Sequence, residues 1–525
     1  MLRKSKKILA VILSVLTLFA MLSVAAGAVA TKAEETYPVV YISGYSGNLY
    51  TDKYDINSEK IYPTGVDIGA RVKEALVPCL AELALGAATD NYDSYCDALY
   101  EAVAPIYDDL RLNPDGTVKD NSGNKFNPES NFGISYAKYD CGEVYVYHDW
   151  RISPLTLAEE LDVIIDKVIA KTGKDKVNLL GRCFGSNVVS SYIQIFGSEK
   201  VNKAVYYVPS TLGIGLIGSI FSGHLDINAK NIDLYVQELT KYENIIEDGM
   251  IKDFINVMLS IFEQATILDF GVDALDKLLD KISSNLIPRL VRTSYGSFPS
   301  FWSMVPDEYF ADALEFVYNT DELKEEYIGT IELITAYHDE VQKNAFDSLQ
   351  SGAVESFVIS KYNLPSAPLF GRNNPNSDAV AEVKYTSFGA TAAEYGTRLT
   401  EDYIAAMPEE ALAFLSLDEK IDASTCAVPE RTWFIKNSYH DHFPESIDRL
   451  INKMLTTDGF TVFDEEYPQF LDADVTAETL TPVTEKDIDI PKPGSDDEKF
   501  TVLFNFIKFV IKLIVELFGK LSVKA

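Results

Sequence analysis

The spacing of apolar and polar positions changes rhythm several times along the chain, and each change predicts an element. Tyr37-Pro-Val-Val-Tyr-Ile-Ser43 is a short β-branched and aromatic run that stops at Gly44-Tyr45-Ser46-Gly47, the pattern of a buried strand entering a tight turn. Residues 66–110 read as helical. Residues 111–135, with Asn113-Pro-Asp-Gly116 and Asn121-Ser-Gly123, are turn-rich and read as a surface excursion. From Glu143 the text becomes regular: a strand from Glu143 to Tyr147, a helix from Leu155 to Lys171, a strand from Lys176 to Leu180, a helix from about Ser186, and a strand from Val201 to Val208. Such βαβαβ alternation predicts an α/β fold with a mostly parallel central sheet and helices on both faces.

From Ser210 to about Asp378 the strand rhythm gives way to amphipathic helical text with aromatic clusters, which reads as a helical cap inserted over 210–380. The cap would divide the core into a first part, 31–209, and a second, 381–456. In that second part, strands are expected from Ala411 to Leu417 and from Thr432 to Ile435, with a last helix from Glu445 to Leu455. Residues 457–498 are acidic and loop-like and end in Pro491-Lys-Pro-Gly494, a linker composition. In the tail, 499–525, Lys508, Lys512, Glu516 and Lys520 recur every fourth residue within an apolar run, predicting an amphipathic helix with a wide apolar face. Two readings of it stand side by side: a helix lying on a membrane surface, or one packed on this domain or a partner.

The chain has 525 residues and opens with Arg3, Lys4, Lys6 and Lys7, an apolar stretch from Ile8 to about Val24, and Ala28-Val29-Ala30. A basic start, an apolar core and small residues at a cut site make residues 1–30 a secretory signal peptide, so an exported, extracellular or cell-surface protein is expected. A net charge of -33 argues against nucleic acid as a partner. Of the five cysteines, at least one is left unpaired if the others form disulfides, and Cys183 is the one expected to be free; Cys79 with Cys96 and Cys141 with Cys426 are candidate bridges.

The predicted strand Lys176-Val-Asn-Leu-Leu180 runs directly into Gly181-Arg-Cys-Phe-Gly185 and then into a helix. That is the strand, sharp turn and helix of a nucleophile elbow, in which flanking glycines let neighbouring backbones pass close to the nucleophile. Cys183 would be the nucleophile, and the amides of Phe184 and Tyr45 would form the oxyanion hole. A base and an orienting acid are needed as well, and in such sites the acid precedes the histidine in the chain. Of the five histidines, His148, His224, His338, His440 and His442, the last two follow the final predicted strand. His442 is favoured, with His440 as alternate. Asp418, at the end of the Ala411 to Leu417 strand, is the expected acid, with Asp422 as alternate. No cofactor or metal is called for.

Several segments together resemble the lecithin:cholesterol acyltransferase-like branch of the α/β-hydrolases. Tyr147-His148-Asp149-Trp150-Arg151 is similar to that family's Tyr-Asp-Trp-Arg, Tyr295-Gly-Ser-Phe-Pro299-Ser-Phe-Trp302 to its Pro-Ser-x-x-Trp stretch, and Asp418-Glu-Lys-Ile421 to its Asp-Gly-x-Val acid motif without the glycine. The departures are Cys183 where serine is usual, Arg182 where histidine is usual, and Ser43 where the oxyanion strand often has histidine. The resemblance implies an α/β-hydrolase fold with a lid. It also implies an esterase, lipase or acyltransferase that acts on an ester or thioester with an apolar acyl group through a Cys-His-Asp triad and an acyl-enzyme. The alternative is a hydrolase scaffold without catalysis that serves as a surface binding module.

Overall fold

Successive side chains of β1 (Val39–Ile42) point to opposite faces, and the sheet built on it separates two apolar layers. Val40 and Ile42 join Leu179, Leu161 and Val188 on one side, while Val39 and Tyr41 join Leu180, Val205 and Ile451 on the other. The computed structural model describes residues 36–45, 48–55, 57–62, 79–124, 133–224, 277–278, 280–366 and 374–488. The expected leader, the tail 499–525 and residues 225–276 of the expected cap lie outside the described residues.

Among the described residues the sheet has eight strands. After β1 come β2 (Glu143–Val146), β3 (Val177–Arg182), β4 (Val201–Tyr207), β5 (Glu355–Tyr362), β6 (Thr432–Lys436), β7 (Phe470–Asp474) and β8 (Thr479–Pro482), in the spatial order β2-β1-β3-β4-β5-β6-β7-β8. All neighbours pair in parallel except β7 with β8. The chain leaves β1 toward β2 on one side and returns to β3 on the other. This reversal makes the carboxyl ends of β1 and β3 a topological switch point, where open parallel sheets form a crevice.

Helices flank both faces. The Pro154–Thr172 helix starts with the Ser153 hydroxyl accepting from the Leu155 amide, has proline at its first position, and stops at Gly173 in the left-handed region. It buries Leu157, Leu161, Ile164 and Val168 in the first layer together with the Phe184–Phe196 helix. The Glu445–Thr456 helix covers the second layer with Ile447, Leu450, Ile451 and Met454. A central sheet covered on both sides has near-continuous apolar strands, as the wholly buried β1 and β6 show.

Three segments depart from the sequence expectation. The segment read as mostly amphipathic helix contains β5, which lies in the middle of the sheet between β4 and β6. Its apolar pattern is broken by Ser356, Ser360 and Lys361, all buried; the last two are matched by partners that only the fold supplies, such as Thr386 Oγ1 at 2.6 Å from Ser360 Oγ. The stretch Ala411 to Leu417, expected as a strand, instead follows a 3-10 turn over Glu409–Phe414. Residues 457–498, read as a loop, contribute β7 and β8 at the sheet edge.

The segment after β5 is tied to the helical region through Glu382. Its carboxylate accepts from the Gly215 amide at 2.7 Å, at the start of the Gly215–Ser222 helix, and from Ser366 Oγ at 3.1 Å. Glu382 is almost wholly buried, and burial raises its pKa from 4.5 to about 7 against the pull of these donors. A carboxyl whose folded pKa is raised favours the fold in its protonated state, so the contribution is complete below pH 4.5 and is lost as pH rises through about 7. The neutral isostere Glu382→Gln should therefore gain on the wild type between about pH 5 and pH 8 in thermal melts. A melting-temperature difference that stays constant across that range would contradict this.

Candidate functional site

The turn after β3 brings a strained residue to the crevice. Cys183 has φ 50° and ψ -123°, a conformation that a side chain with a Cβ adopts at a cost of order 1–3 kcal/mol. Three hydrogen bonds hold it there: the Cys183 amide donates to the Tyr207 carbonyl at 3.0 Å, and its own carbonyl accepts from the Ser186 amide at 2.9 Å and the Ser186 hydroxyl at 2.5 Å. The flanking glycines are required by close approach. A Cβ on Gly185 would stand 2.1 Å from the Ile42 carbonyl oxygen, and one on Gly181 would stand 2.7 Å from Ser186 Cα. Gly44, just past β1, lies so near that a Cβ there would be 3.1 Å from Cys183 Cβ and 3.6 Å from its Sγ.

Phe184 is the first residue of the Phe184–Phe196 helix, so its amide has no intrahelical acceptor and points out of the positive end of the helix dipole. The Tyr45 ring stacks on Phe184 at 5.1 Å, lies 4.9 Å from Phe301 and meets Trp150 edge-on at 5.4 Å. The two residues expected to supply the oxyanion amides are thus neighbours of each other beside Cys183. Two of the three segments that carry the family resemblance also meet at Tyr45, through Trp150 and Phe301. Asp149 accepts three hydrogen bonds from Arg151, from its amide at 3.1 Å and its guanidinium at 3.0 and 2.7 Å, and Trp302 donates its indole N–H to the Gly296 carbonyl at 2.9 Å.

Opposite Cys183 stands His440. Its Nδ1 is 2.7 Å from Asp378 Oδ2, and its amide donates to the Asp378 carbonyl at 2.9 Å. The other carboxylate oxygen of Asp378 accepts from the amides of Val380 at 3.0 Å and Ala381 at 2.7 Å. Burial opposes charge on both groups, yet the pair overcomes it. Asp378 stays below the ordinary carboxylate range because His440, the Ala381 amide and Lys361 favour its anion. His440 is held well above the ordinary histidine value by Asp378 first and by the adjacent Cys183 next. Nε2 of His440 has no hydrogen bond of regular geometry among the described residues, which leaves it to the sulfur beside it.

The structure therefore brings together Cys183, His440 and Asp378, and holds His442, Asp418 and Asp422 in other contacts. His442 Nδ1 is 2.9 Å from Ser438 Oγ, and burial, then the nearby Lys361 charge, lowers its pKa to about 4. Asp418 is buried against Lys436 Nζ at 2.9 Å and accepts from Ser416 Oγ at 2.8 Å. Asp422 caps Ser424 and accepts from the Tyr403 hydroxyl at 2.8 Å. The shift from Asp418 to Asp378 follows from the strand error. With β5 unrecognised, the polar loop after it was not read as a strand end, although the rule that the acid lies between nucleophile and histidine would have admitted Asp378.

None of the five cysteines is in a disulfide, so neither candidate bridge forms. Cys183 is half-buried and the other four are buried; burial pushes Cys96 and Cys426 up to about 12 and Cys141 to about 11. Among the described residues no group of acidic, histidine and cysteine side chains is arranged to hold a metal ion. No protein-family model and no curated protein matches the chain.

A methyl group at Gly185 has nowhere to go, so Gly185→Ala is expected to cost at least about 3 kcal/mol in urea unfolding. Gly133→Ala, where a Cβ meets nothing within 4 Å, should stay within about 0.5 kcal/mol of wild type. Equal losses at the two positions would contradict the close-approach account.

Proposed function

We propose that the chain is an acyl-transfer enzyme of the α/β-hydrolase type, in which Cys183, His440 and Asp378 act as nucleophile, base and orienting acid. The observation that carries this reading is the buried Asp378–His440 pair set beside a strained, half-buried cysteine at the switch point of a parallel sheet. The chain order of nucleophile, acid and histidine supports it, as does the resemblance of Tyr147–Arg151 and Tyr295–Trp302 to the lecithin:cholesterol acyltransferase-like branch.

In this reading the Cys183 thiol passes its proton to His440, and the sulfur attacks the carbonyl carbon of an ester or thioester. The amides of Phe184 and Tyr45 receive the negative charge that develops on the carbonyl oxygen. Collapse of that intermediate breaks the bond to the leaving alkoxide or thiolate, which takes the proton from His440. Water, or an alcohol in a transferase, then gives its proton to His440 and releases the acyl group from sulfur. Asp378 holds the imidazole with Nε2 toward sulfur and stabilises its cationic form.

An apolar acyl group is the favoured substrate part. The helices between β4 and β5 act in this reading as a cap, and the aromatic side chains of Tyr45, Phe301, Tyr295 and Phe298 pack together on the side of the elbow that faces them. The basic and apolar leader supports an exported protein, and the amphipathic tail supports contact with a membrane surface.

Hydrolysis of short and long p-nitrophenyl esters tests the assignment. Cys183→Ala and His440→Ala should lose at least about a hundredfold in kcat/KM, and Asp378→Asn about tenfold or more. His442→Ala and Asp418→Asn, if folded, should retain the triad. Turnover by wild type that Cys183→Ala leaves unchanged would reject the enzyme reading, and a wild type inert toward both ester lengths would favour a non-catalytic binding module.

A further inference from the structure

Lysine is among the side chains least often buried in a protein, yet Lys361 sits in the interior of β5 with no exposed surface. Strand alternation puts it in line with Phe357 and Ile359, which belong to the apolar layer on that face of the sheet. An ammonium in such a place is tolerated when each of its N–H groups has an acceptor. Lys361 Nζ has three: the carbonyls of Tyr439 at 2.7 Å, His440 at 3.1 Å and His442 at 2.6 Å. The charged groups around it are Asp378, Arg182 and Asp441, and its Nζ lies 4.8 Å from the centre of the Tyr207 ring.

All three acceptors belong to one four-residue stretch, the loop that presents His440. The His442 carbonyl also accepts from the Tyr207 hydroxyl at 2.6 Å and the Tyr439 carbonyl from the His442 amide at 3.1 Å, but among the contacts described only the lysine draws all three carbonyls to one point. The loop's remaining ties are on other sides. The His440 amide bonds the Asp378 carbonyl, and Arg182 Nη2 bonds Asp441 Oδ1 at 2.8 Å. Asp378 therefore fixes the imidazole from its Nδ1 side, and Lys361 fixes the backbone from which the imidazole hangs.

We propose that Lys361 is the positioning residue of His440: by gathering the carbonyls of residues 439, 440 and 442 from the centre of the sheet, it holds the imidazole between Asp378 and Cys183. This rests on the Cys183–His440 pairing described above. Lys361 touches neither the sulfur nor the imidazole in the contacts described, so it acts through the loop. A one-ångström loss of register at the imidazole is enough to uncouple a pair that depends on hydrogen-bond distance.

The test reads the pair itself, using iodoacetamide as probe and following carbamidomethylation of Cys183 by mass spectrometry of the full chain across pH 5 to 9. Thermal melts show which variants are folded. Lys361→Met, apolar and of similar length, is expected to melt cooperatively, to slow Cys183 alkylation at pH 7 by about tenfold or more, and to bring the pH dependence of the rate toward that of His440→Ala. Lys361→Gln returns two of the three N–H donors without the charge and should fall between Lys361→Met and wild type; it also decides the matter should the methionine variant not fold. A folded Lys361→Met or Lys361→Gln with the wild-type rate and profile would overturn the inference. His440→Ala separates the two levels: if it alkylates as fast as wild type, the Cys183–His440 reading fails, whereas a slow His440→Ala beside a fast, folded Lys361→Met rejects only the role of the lysine.

Discussion

The contact on which the crevice depends is the one between the Gly185 backbone and the Ile42 carbonyl, where even one carbon atom would be placed 2.1 Å from oxygen. Because that approach is so close, the end of β1 and the start of the elbow helix share one space, and the residues just past β1 are drawn against Cys183. Gly44 completes the arrangement from the other side, where a Cβ would stand 3.6 Å from the sulfur. Tyr45 can then lie flat on Phe184. The proximity of the two residues assigned to the oxyanion hole is thus a steric result: two strands that are neighbours in a parallel sheet, and glycines where any side chain would force them apart.

A second layer of constraint is electrostatic. Asp378, His440, Lys361 and Arg182 are gathered at the carboxyl ends of β3 to β6, where removing charge from water is costly. Each has matched partners: backbone amides for Asp378, carbonyls for Lys361, and Asp441 for the Arg182 guanidinium, which also lies 5.5 Å over the Phe443 ring. Replacing buried ion pairs by apolar groups is often neutral or stabilising in proteins. Stability alone therefore does not account for so much buried charge; in the proposed triad it would serve to hold one imidazole in a fixed orientation. The Asp418–Lys436 pair is a useful contrast. It has similar burial and a distance of 2.9 Å, but its surroundings are Ser416 and the end of β6, with no nucleophile beside it.

How far the sequence could be read depended on whether the information was local. The elbow was legible because strand, glycines, cysteine and helix are contiguous from Val177 to Phe196, and the strands from Glu143 to Tyr207 were legible because the period of their apolar residues is continuous. The histidine was not separable on local grounds. His440 and His442 stand two residues apart in the same polar loop, and what distinguishes them is a backbone bond from His440 to Asp378, 62 residues earlier, together with the ring contact at 2.7 Å. The edge strands β7 and β8 were hidden for a different reason: Asp472, Asp474 and the threonines of β8 lie where one face meets water, so the apolar period that marks a central strand is missing.

The most informative difference is that of β5, because one of the residues that break its apolar pattern, Lys361, is the one that bonds the loop of His440. Ser360 and Lys361 break the apolar run, and a strand with a lysine on its core-facing side contradicts the pattern by which strands are recognised. In the fold that lysine is exempt from the rule, since three carbonyls of the histidine loop supply what water would have supplied. Local pattern and global structure disagree at this point because the strand has two tasks, filling the centre of a sheet and reaching across to β6 to hold a loop. Such conflicts are expected where function is built into a fold. A polar residue that interrupts an otherwise convincing buried strand is thus better read as a sign that the strand ends near a site than as evidence against the strand.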